Sequence, residues 1–155
     1  MSEDLITLMQ TLMHQLAPSL PSHVLQLAMK DFEEVSLDDD YEIDMSRFHK
    51  PSAVHDNKCS VCLAGSVMAK SLGVPIGFNA SPDMFDEDTA TKLKALDLLR
   101  TGHVGIALSF MGYSPEEYGI DTSFRFKVDD YYPYRHQEFV YRMGELVKFL
   151  QEKGL

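Results

Sequence analysis

The sequence predicts a mainly α-helical fold, a single irregular domain of five or six helices round a buried central helix, with room for one small β-hairpin. Several segments repeat apolar residues at helical spacing. The segment 59–69 has no charge and is apolar or small on every side of a helical wheel, which is typical of a fully buried helix. A chain of 155 residues forms about one domain, so 1–155 is treated as one globular unit.

The first half of the chain is divided by prolines and by an acidic stretch. An apolar stripe predicts a helix over residues 4–16. Ser22 is a candidate N-cap for a second helix, whose apolar positions run from Val24 to Phe32. Residues 36–50 are acidic and aperiodic, which predicts a loop with one short strand at most. The central helix then covers about 59–72, before Gly73.

Caps and glycines divide the second half into further elements. A helix capped by Asp86 or Asp88 ends near Arg100. Two glycines bracket residues 103–110, which favours a short helix, with a strand as the alternative. The remaining predictions are a helical turn after the capping box at 114–117, a half-buried strand over 123–128, and a last helix from about 133 to 153.

The net charge of −10, from 24 acids and 14 bases, excludes general nucleic-acid binding, which needs a basic surface. The same charge disfavours anionic membranes. No apolar run approaches the length that spans a bilayer, and the acidic start of the chain is unlike a secretory signal. We therefore expect a cytoplasmic protein with no membrane association.

The acids form two groups, eight of them within 31–44 and four within 83–88. Such groups serve as solvated surface or as a surface that docks on a basic partner. A tyrosine-rich stretch at 131–135 suits either a recognition surface or the packed entry to the last helix, since Tyr and Arg are frequent in interface hot spots. The predicted partner-binding residues are Asp38, Asp39, Asp40, Glu42, Asp44, Tyr131, Tyr132, Tyr134 and Arg135.

The two cysteines allow three interpretations. They can be small core residues, ligands of a zinc ion, or a redox pair. His49, His55, Cys59 and Cys62 have the ligand types of a tetrahedral zinc site, in an order unlike the common zinc fingers. A redox pair normally follows a strand at an exposed helix start, and no strand is predicted upstream. His49 is alternatively a structural residue in a turn, with its ring bonded to a carbonyl.

Cys59 is also a candidate nucleophile, because the start of a helix favours a thiolate. The pair Cys59-Ser60 and the later stretch 103–106, His-Val-Gly-Ile, resemble the NlpC/P60 papain-like peptidases. The resemblance implies Cys59 as nucleophile and His103, on a strand, as base. The chain departs from the family at Lys58 and Val61, where Asp and Gly are usual.

A second resemblance covers the central segment. Asp44-Met45-x-x-Phe48-His49, followed by Cys59-x-x-Cys62-Leu63-Ala64-Gly65-x-x-Met68-Ala69, is similar to a pattern in small uncharacterised proteins of bacteria and their phages. That resemblance implies no known activity. The leading hypothesis is thus a non-enzymatic interaction protein of phage or bacterial accessory type, with a protein partner and no cofactor. A cysteine hydrolase using Cys59 with His103 or His49, and a small zinc-stabilised module, are the alternatives.

Overall fold

The computed structural model describes residues 16–55, 57–127 and 135–155. These contain five α-helices, three short strands and two 3-10 turns, so the mainly α class with a small strand element is confirmed. In chain order they are α1 (Pro21–Ser36), β1 (Tyr41–Ile43), β2 (His49–Pro51), β3 (Cys59–Val61), α2 (Leu63–Ala69), a 3-10 turn (Pro82–Met84), α3 (Glu87–Arg100), α4 (Val104–Phe110), a 3-10 turn (Pro115–Tyr118) and α5 (His136–Glu152). The helix predicted over 4–16 lies, except for Leu16, outside the described residues.

Helix α2 is the buried centre of the fold. All seven of its residues are buried, and it packs against α1 and α3. The prediction of a buried central helix is confirmed, but its span of 59–72 is wrong. Residues 59–61 form a strand and the helix ends at Ala69. A short apolar run has no period by which a strand can be told from a buried helix.

The three strands form one sheet in the order β1-β3-β2. Strand β1 runs parallel to β3, with Tyr41 opposite Cys59. Strand β2 runs antiparallel to β3, with His49 opposite Val61. Because β3 leads directly into α2, the sheet is fixed to the core, and side chains from all three strands reach the interior.

Of the five elements predicted for the second half of the chain, the structure contains four and differs at one. The helix after Asp86, the short helix over Val104–Phe110 and the turn after Ser114 are present. The strand predicted over 123–128 is wrong for the described residues 123–127. There the amide of Phe126 donates to the carbonyl of Gly102, at 2.7 Å, and not to a partner strand.

Helix α1 begins at Pro21, one residue before the predicted cap. The Ser22 side chain makes no cap, and its backbone amide donates to the carbonyl of Leu155 at 3.0 Å. The last helix begins at His136, two or three residues later than predicted. None of the helices in the described parts of the chain is long and apolar enough to cross a bilayer.

Candidate functional site

A buried cysteine and histidine meet beneath the sheet. The Cys59 Sγ atom lies 3.4 Å from Nδ1 and 3.7 Å from Nε2 of His49. Both side chains are fully buried, and the ring of Tyr41 meets the imidazole edge-on with centroids 6.4 Å apart. Strands β2 and β3 bring the two residues together although ten residues separate them in the sequence.

The bonds of this pair indicate a neutral thiol and a neutral imidazole. The Nδ1 atom of His49 lies 2.7 Å from the carbonyl oxygen of Phe78, so Nδ1 carries the proton and donates. The Cys59 thiol donates to the carbonyl of Lys50 at 3.3 Å. Burial lowers the pKa of His49 and raises the pKa of Cys59. The expected bond from the His49 ring to a carbonyl is present, but His49 lies in strand β2 and not in a turn. A neutral thiol is a weak nucleophile.

The other two zinc candidates lie apart from this pair. Cys62 is the N-cap of α2, where its Sγ accepts from the amide of Gly65 at 3.4 Å, and burial raises its pKa to about 11. His55 is exposed, with Nε2 4.0 Å from a carboxylate oxygen of Glu42. Over 16–55, 57–127 and 135–155, no three His, Cys, Asp or Glu side chains converge to hold a metal.

His103 is the N-cap of α4 and not a strand residue. Its Nδ1 lies 2.7 Å from the hydroxyl of Thr101, while the described bonds of Cys59 lead to His49 and Lys50. The peptidase resemblance implies Cys59 as nucleophile and His103 as base, but the described hydrogen bonds do not join these two residues. A strand does precede Cys62, contrary to the sequence-based expectation, but both sulfurs are buried.

Thiol modification distinguishes cysteines that are core residues from zinc ligands and from a reactive nucleophile. We expect both thiols of the native protein to react about 1,000-fold more slowly than in denaturant, because a reagent reaches them only through opening of the fold. A strong chelator should leave the rate unchanged. Mass spectrometry of alkylated peptides over time measures both rates. Fast labelling of Cys59 that depends on His49 would support the hydrolase, and acceleration by the chelator would support zinc.

Several acids of the 31–44 group are bound within the fold. Glu42 accepts hydrogen bonds from the hydroxyls of Ser52 and Ser60, each at 2.5 Å, and these bonds lower its pKa. Glu42 thus ties β1 to β3 and to the loop after β2.

Two further acids of the predicted partner-binding set form ion pairs. Asp38 binds the Lys70 ammonium at 2.8 Å, and Asp44 lies 3.3 Å from the Arg47 guanidinium. The pKa of each carboxyl is lowered, for Asp38 chiefly by the Lys70 bond. Asp31 differs, since its burial raises the pKa to about 6 while the Ser71 hydroxyl donates to it at 2.5 Å. These residues have a structural role whether or not they contact a partner.

A cavity of about 360 Å³ lies at the end of α1, and Glu33 is the acid of the 31–44 group among its described lining residues. Asp39 and Asp40 are exposed, and Leu37 beside them is 85% exposed. The start of α5 closes the other side, where His136 Nε2 lies 3.1 Å from Glu33 Oε1. We call this the acidic groove, and its described lining residues are Glu33, Val35, Ser36, Leu37, Tyr41, Ile43 and His136.

The structure places one end of the tyrosine-rich stretch at this groove. Arg135, exposed, directly precedes the groove residue His136. The other predicted members of that stretch, Tyr131, Tyr132 and Tyr134, lie outside the described residues. The acidic run and the start of α5 thus meet in the fold, a proximity that nothing in the sequence indicated.

A larger open cleft, of about 710 Å³, lies between the start of α3 and the end of α4. It includes three acids of the 83–88 group, Asp86, Glu87 and Asp88, together with the aromatic side chains of Phe110 and Tyr113. The sequence showed the acids but gave no sign that aromatic residues face them.

The two resemblances drawn from sequence motifs stay predictions. The groove, the cleft and the buried pair are interpreted from their own chemistry. Comparison of the chain with known protein families, with curated proteins and with solved structures gives no match.

Proposed function

We propose that this chain is a non-enzymatic interaction protein whose acidic groove binds a basic segment of a protein partner. The observation that carries the proposal is the position of Leu37. Its side chain is 85% exposed at the mouth of the groove, directly before three consecutive aspartates. A large apolar side chain next to a dense charge of one sign is typical of a docking site with an apolar centre and a charged rim.

The charge of the three aspartates that follow Leu37 is only partly compensated within the fold. Asp38 is paired with Lys70, whereas Asp39 and Asp40 make no ion pair with a described residue. Their negative potential attracts a cationic segment and increases its association rate at low salt. The preferred partner segment therefore has Lys or Arg residues on either side of an apolar residue.

The groove can accommodate that apolar residue. Val35 and Tyr41 belong to the smaller buried cluster of the core, and Ile43 packs against that cluster. These three residues and Leu37 line the groove, where the end of α1 meets strand β1. A partner side chain that enters the groove is thus removed from water on an apolar surface, which is the main source of free energy in such contacts.

The alternative functions have weaker geometric support. The hydrolase proposal rests on the 3.4 Å approach of Cys59 Sγ to His49 Nδ1, in a pair that is buried and uncharged. The zinc proposal has only two of its four candidate ligands in contact. Both remain proposals that the thiol-modification experiment tests.

The interaction proposal is tested by affinity capture with matched variants. Immobilised protein is exposed to bacterial lysate, and captured proteins are compared for the native chain, Leu37→Ser and the double variant Asp39→Asn, Asp40→Asn. The control is Val54→Ser, because Val54 is 79% exposed on a different loop. We expect a basic partner that Val54→Ser retains and the groove variants lose.

The dependence of partner capture on salt concentration is the second criterion for the proposal. Capture should weaken between about 0.05 M and about 0.3 M ionic strength, since screening shortens the range of surface charge. Equal capture by the native chain, Leu37→Ser and Val54→Ser would contradict the proposal, as would the absence of any salt-sensitive partner.

A further inference from the structure

We propose that the basic segment of the partner binds as an extended strand, which pairs with the open edge of β1 and places an apolar side chain in the acidic groove. This inference rests on the proposed function, since it concerns the same groove, and it adds the conformation of the bound segment. The main chain of β1 carries it, not the acidic side chains. Strand β1 is at one end of the sheet order, and two of its residues, Tyr41 and Ile43, line the groove.

The pairing with β3 determines which main-chain groups of β1 face outward. The two strands are parallel, and the amide of Asp44, directly after β1, donates to the carbonyl of Val61 at 2.8 Å. In a parallel pair, alternate residues of one strand direct their main-chain groups to the other strand, and in this register Glu42 faces β3. The amides and carbonyls of Tyr41 and Ile43 therefore face away from β3, toward the open edge.

Three of these four groups are available to another strand. The Tyr41 amide donates to the carbonyl of Asp38 at 3.1 Å, in the turn before β1. The Tyr41 carbonyl and both main-chain groups of Ile43 make no hydrogen bond with a described residue. Unpaired strand groups of this kind are the template on which an extended peptide adds to a sheet. A strand in either direction can bond to all three groups.

The opposite edge of the sheet offers less. The outer side of β2 is bridged by Ala80, whose amide donates to the carbonyl of His49 at 2.8 Å. Pro51, the last residue of β2, has no amide hydrogen to donate. Of the two outer strands in the described part of the chain, β1 is thus the one that is open to pairing.

The charges around β1 select the strand that can add. Asp39 and Asp40 are exposed before the strand, and Asp44 follows it. A second copy of this chain would bring the same acids to the edge, and like charges on paired strands are destabilising. A segment with Lys or Arg residues on either side of an apolar residue has the complementary charge. The occupant is therefore a basic extended segment of another protein.

The groove gives that segment a place for its apolar side chain. Tyr41 and Ile43 are two positions apart in β1, so their side chains lie on the same face of the sheet. A partner residue on this face lies beside them, against Val35 and Leu37 at the end of α1. Main-chain pairing thus positions the segment, while the groove selects one side chain.

The experiment uses the synthetic peptide acetyl-Lys-Arg-Thr-Val-Thr-Arg-Lys-amide, titrated into the full chain by calorimetry. Two derivatives carry N-methyl groups, either on the valine or on both threonines, which remove amide hydrogens and keep the side chains and charges. Because the amides of a strand alternate in direction, we expect one derivative to bind about tenfold more weakly and the other to bind nearly as the parent. With the valine in the groove, loss at the valine indicates an antiparallel strand and loss at the threonines a parallel one.

Hydrogen exchange reports the same pairing from the side of the protein. In the protein alone, the Ile43 amide should exchange at least about ten times faster than the Asp44 amide, which is bonded to Val61. Saturating peptide should slow exchange at Ile43 about tenfold and leave exchange at Asp44 unchanged.

The matched variants are Ile43→Pro and Ile43→Val. Proline removes the outward amide hydrogen at an edge position, where a strand tolerates it, and we expect peptide binding about tenfold weaker. Valine keeps the main-chain groups and a branched apolar side chain, so Ile43→Val should bind the peptide as the native chain does. If Ile43→Pro does not fold, the N-methylated peptides still test the pairing on the native chain.

Four results would overturn the inference. They are no saturable binding of the peptide up to about 1 mM, equal affinity of the two N-methylated derivatives, an Ile43 amide protected in the protein alone, and protection of that amide that increases with protein concentration. The third would assign the edge to a segment of this chain, and the fourth would assign it to a second copy.

Failure of this inference can be distinguished from failure of the proposed function. Peptide binding that Leu37→Ser loses, but that both derivatives share equally, would exclude the added strand and leave the groove as the docking site. Absence of both peptide binding and a salt-sensitive partner would exclude the added strand and the proposed function together.

Discussion

Replacing Gly65 by alanine should destabilise the protein by about 3 kcal/mol, the upper end of the usual cost of overpacking a core. A Cβ atom at this position would overlap the carbonyl oxygen of Phe48 and meet the Cβ of Val61 at 3.0 Å. Both neighbours are held by the sheet and the loop between β1 and β2. Helix α2 is buried on all sides, so it has no room to move away.

The matched control is Gly144→Ala in α5. A Cβ at Gly144 meets no atom within 4 Å, so only the helix propensity changes. That variant should gain about 0.5–1 kcal/mol, as alanine does over glycine inside a helix. Urea denaturation followed by circular dichroism measures both. A loss of less than about 1 kcal/mol for Gly65→Ala would show that Phe48 does not hold its loop against α2, since overpacking then costs little.

Replacing His49 by alanine should cost a similar amount, about 3 kcal/mol, because a buried ring and its hydrogen bond are both lost. The substitution leaves the carbonyl of Phe78 without its donor and opens a cavity beside Cys59. His49→Asn is the matched variant, since its amide nitrogen can still donate to that carbonyl. The order of unfolding free energies should be native, then His49→Asn, then His49→Ala.

His49 should also give stability a pH dependence of defined sign. Burial lowers the pKa of His49 in the folded state, so below its unfolded pKa of about 6.5 the unfolded chain binds more protons. Stability from His49 is therefore complete above that pH and declines as the pH falls. Asp31 has the opposite effect on the pH dependence of stability. Its pKa rises from 3.8 to about 6 in the folded state, so ionisation of its carboxyl lowers stability as the pH rises through that range.

Denaturation at several pH values separates the two groups. His49→Asn should lose the decline of stability just below neutral pH, while Asp31→Asn should keep it. An unchanged pH profile in His49→Asn would contradict the assignment of His49 as a buried, neutral residue.

Much of the fold could be predicted because local signals agreed with tertiary packing. The helix over Val104–Phe110 is bracketed by two glycines, and α3 starts directly after Asp86, which occupies the predicted N-cap position without a capping hydrogen bond from its side chain. The uncharged segment around Gly65 predicted the buried central helix. The structure adds a close approach at Gly65, where the neighbour is the backbone of Phe48.

The rest depended on contacts between distant parts of the chain. Strand β3 is three residues long, and its parallel pairing with β1 leaves no periodic signal in the sequence. The strand over 123–128 was predicted only from the alternation of apolar and charged residues. In the structure, Phe124 and Phe126 pack against Phe149. The acidic groove and the cleft each join elements that are far apart in sequence, so neither could be located from composition.

The strand order has a consequence for how the protein is made. Because β3 lies between β1 and β2, those two strands share no hydrogen bonds with each other. A chain emerging from the ribosome therefore cannot close this sheet until Val61 is free of the exit tunnel. Until then, the strand segments within 41–51 have no hydrogen-bonding partner, and exposed strand edges of this kind favour aggregation. The many acids between Asp38 and Asp44 keep the chain around the first of these strands charged and hydrated.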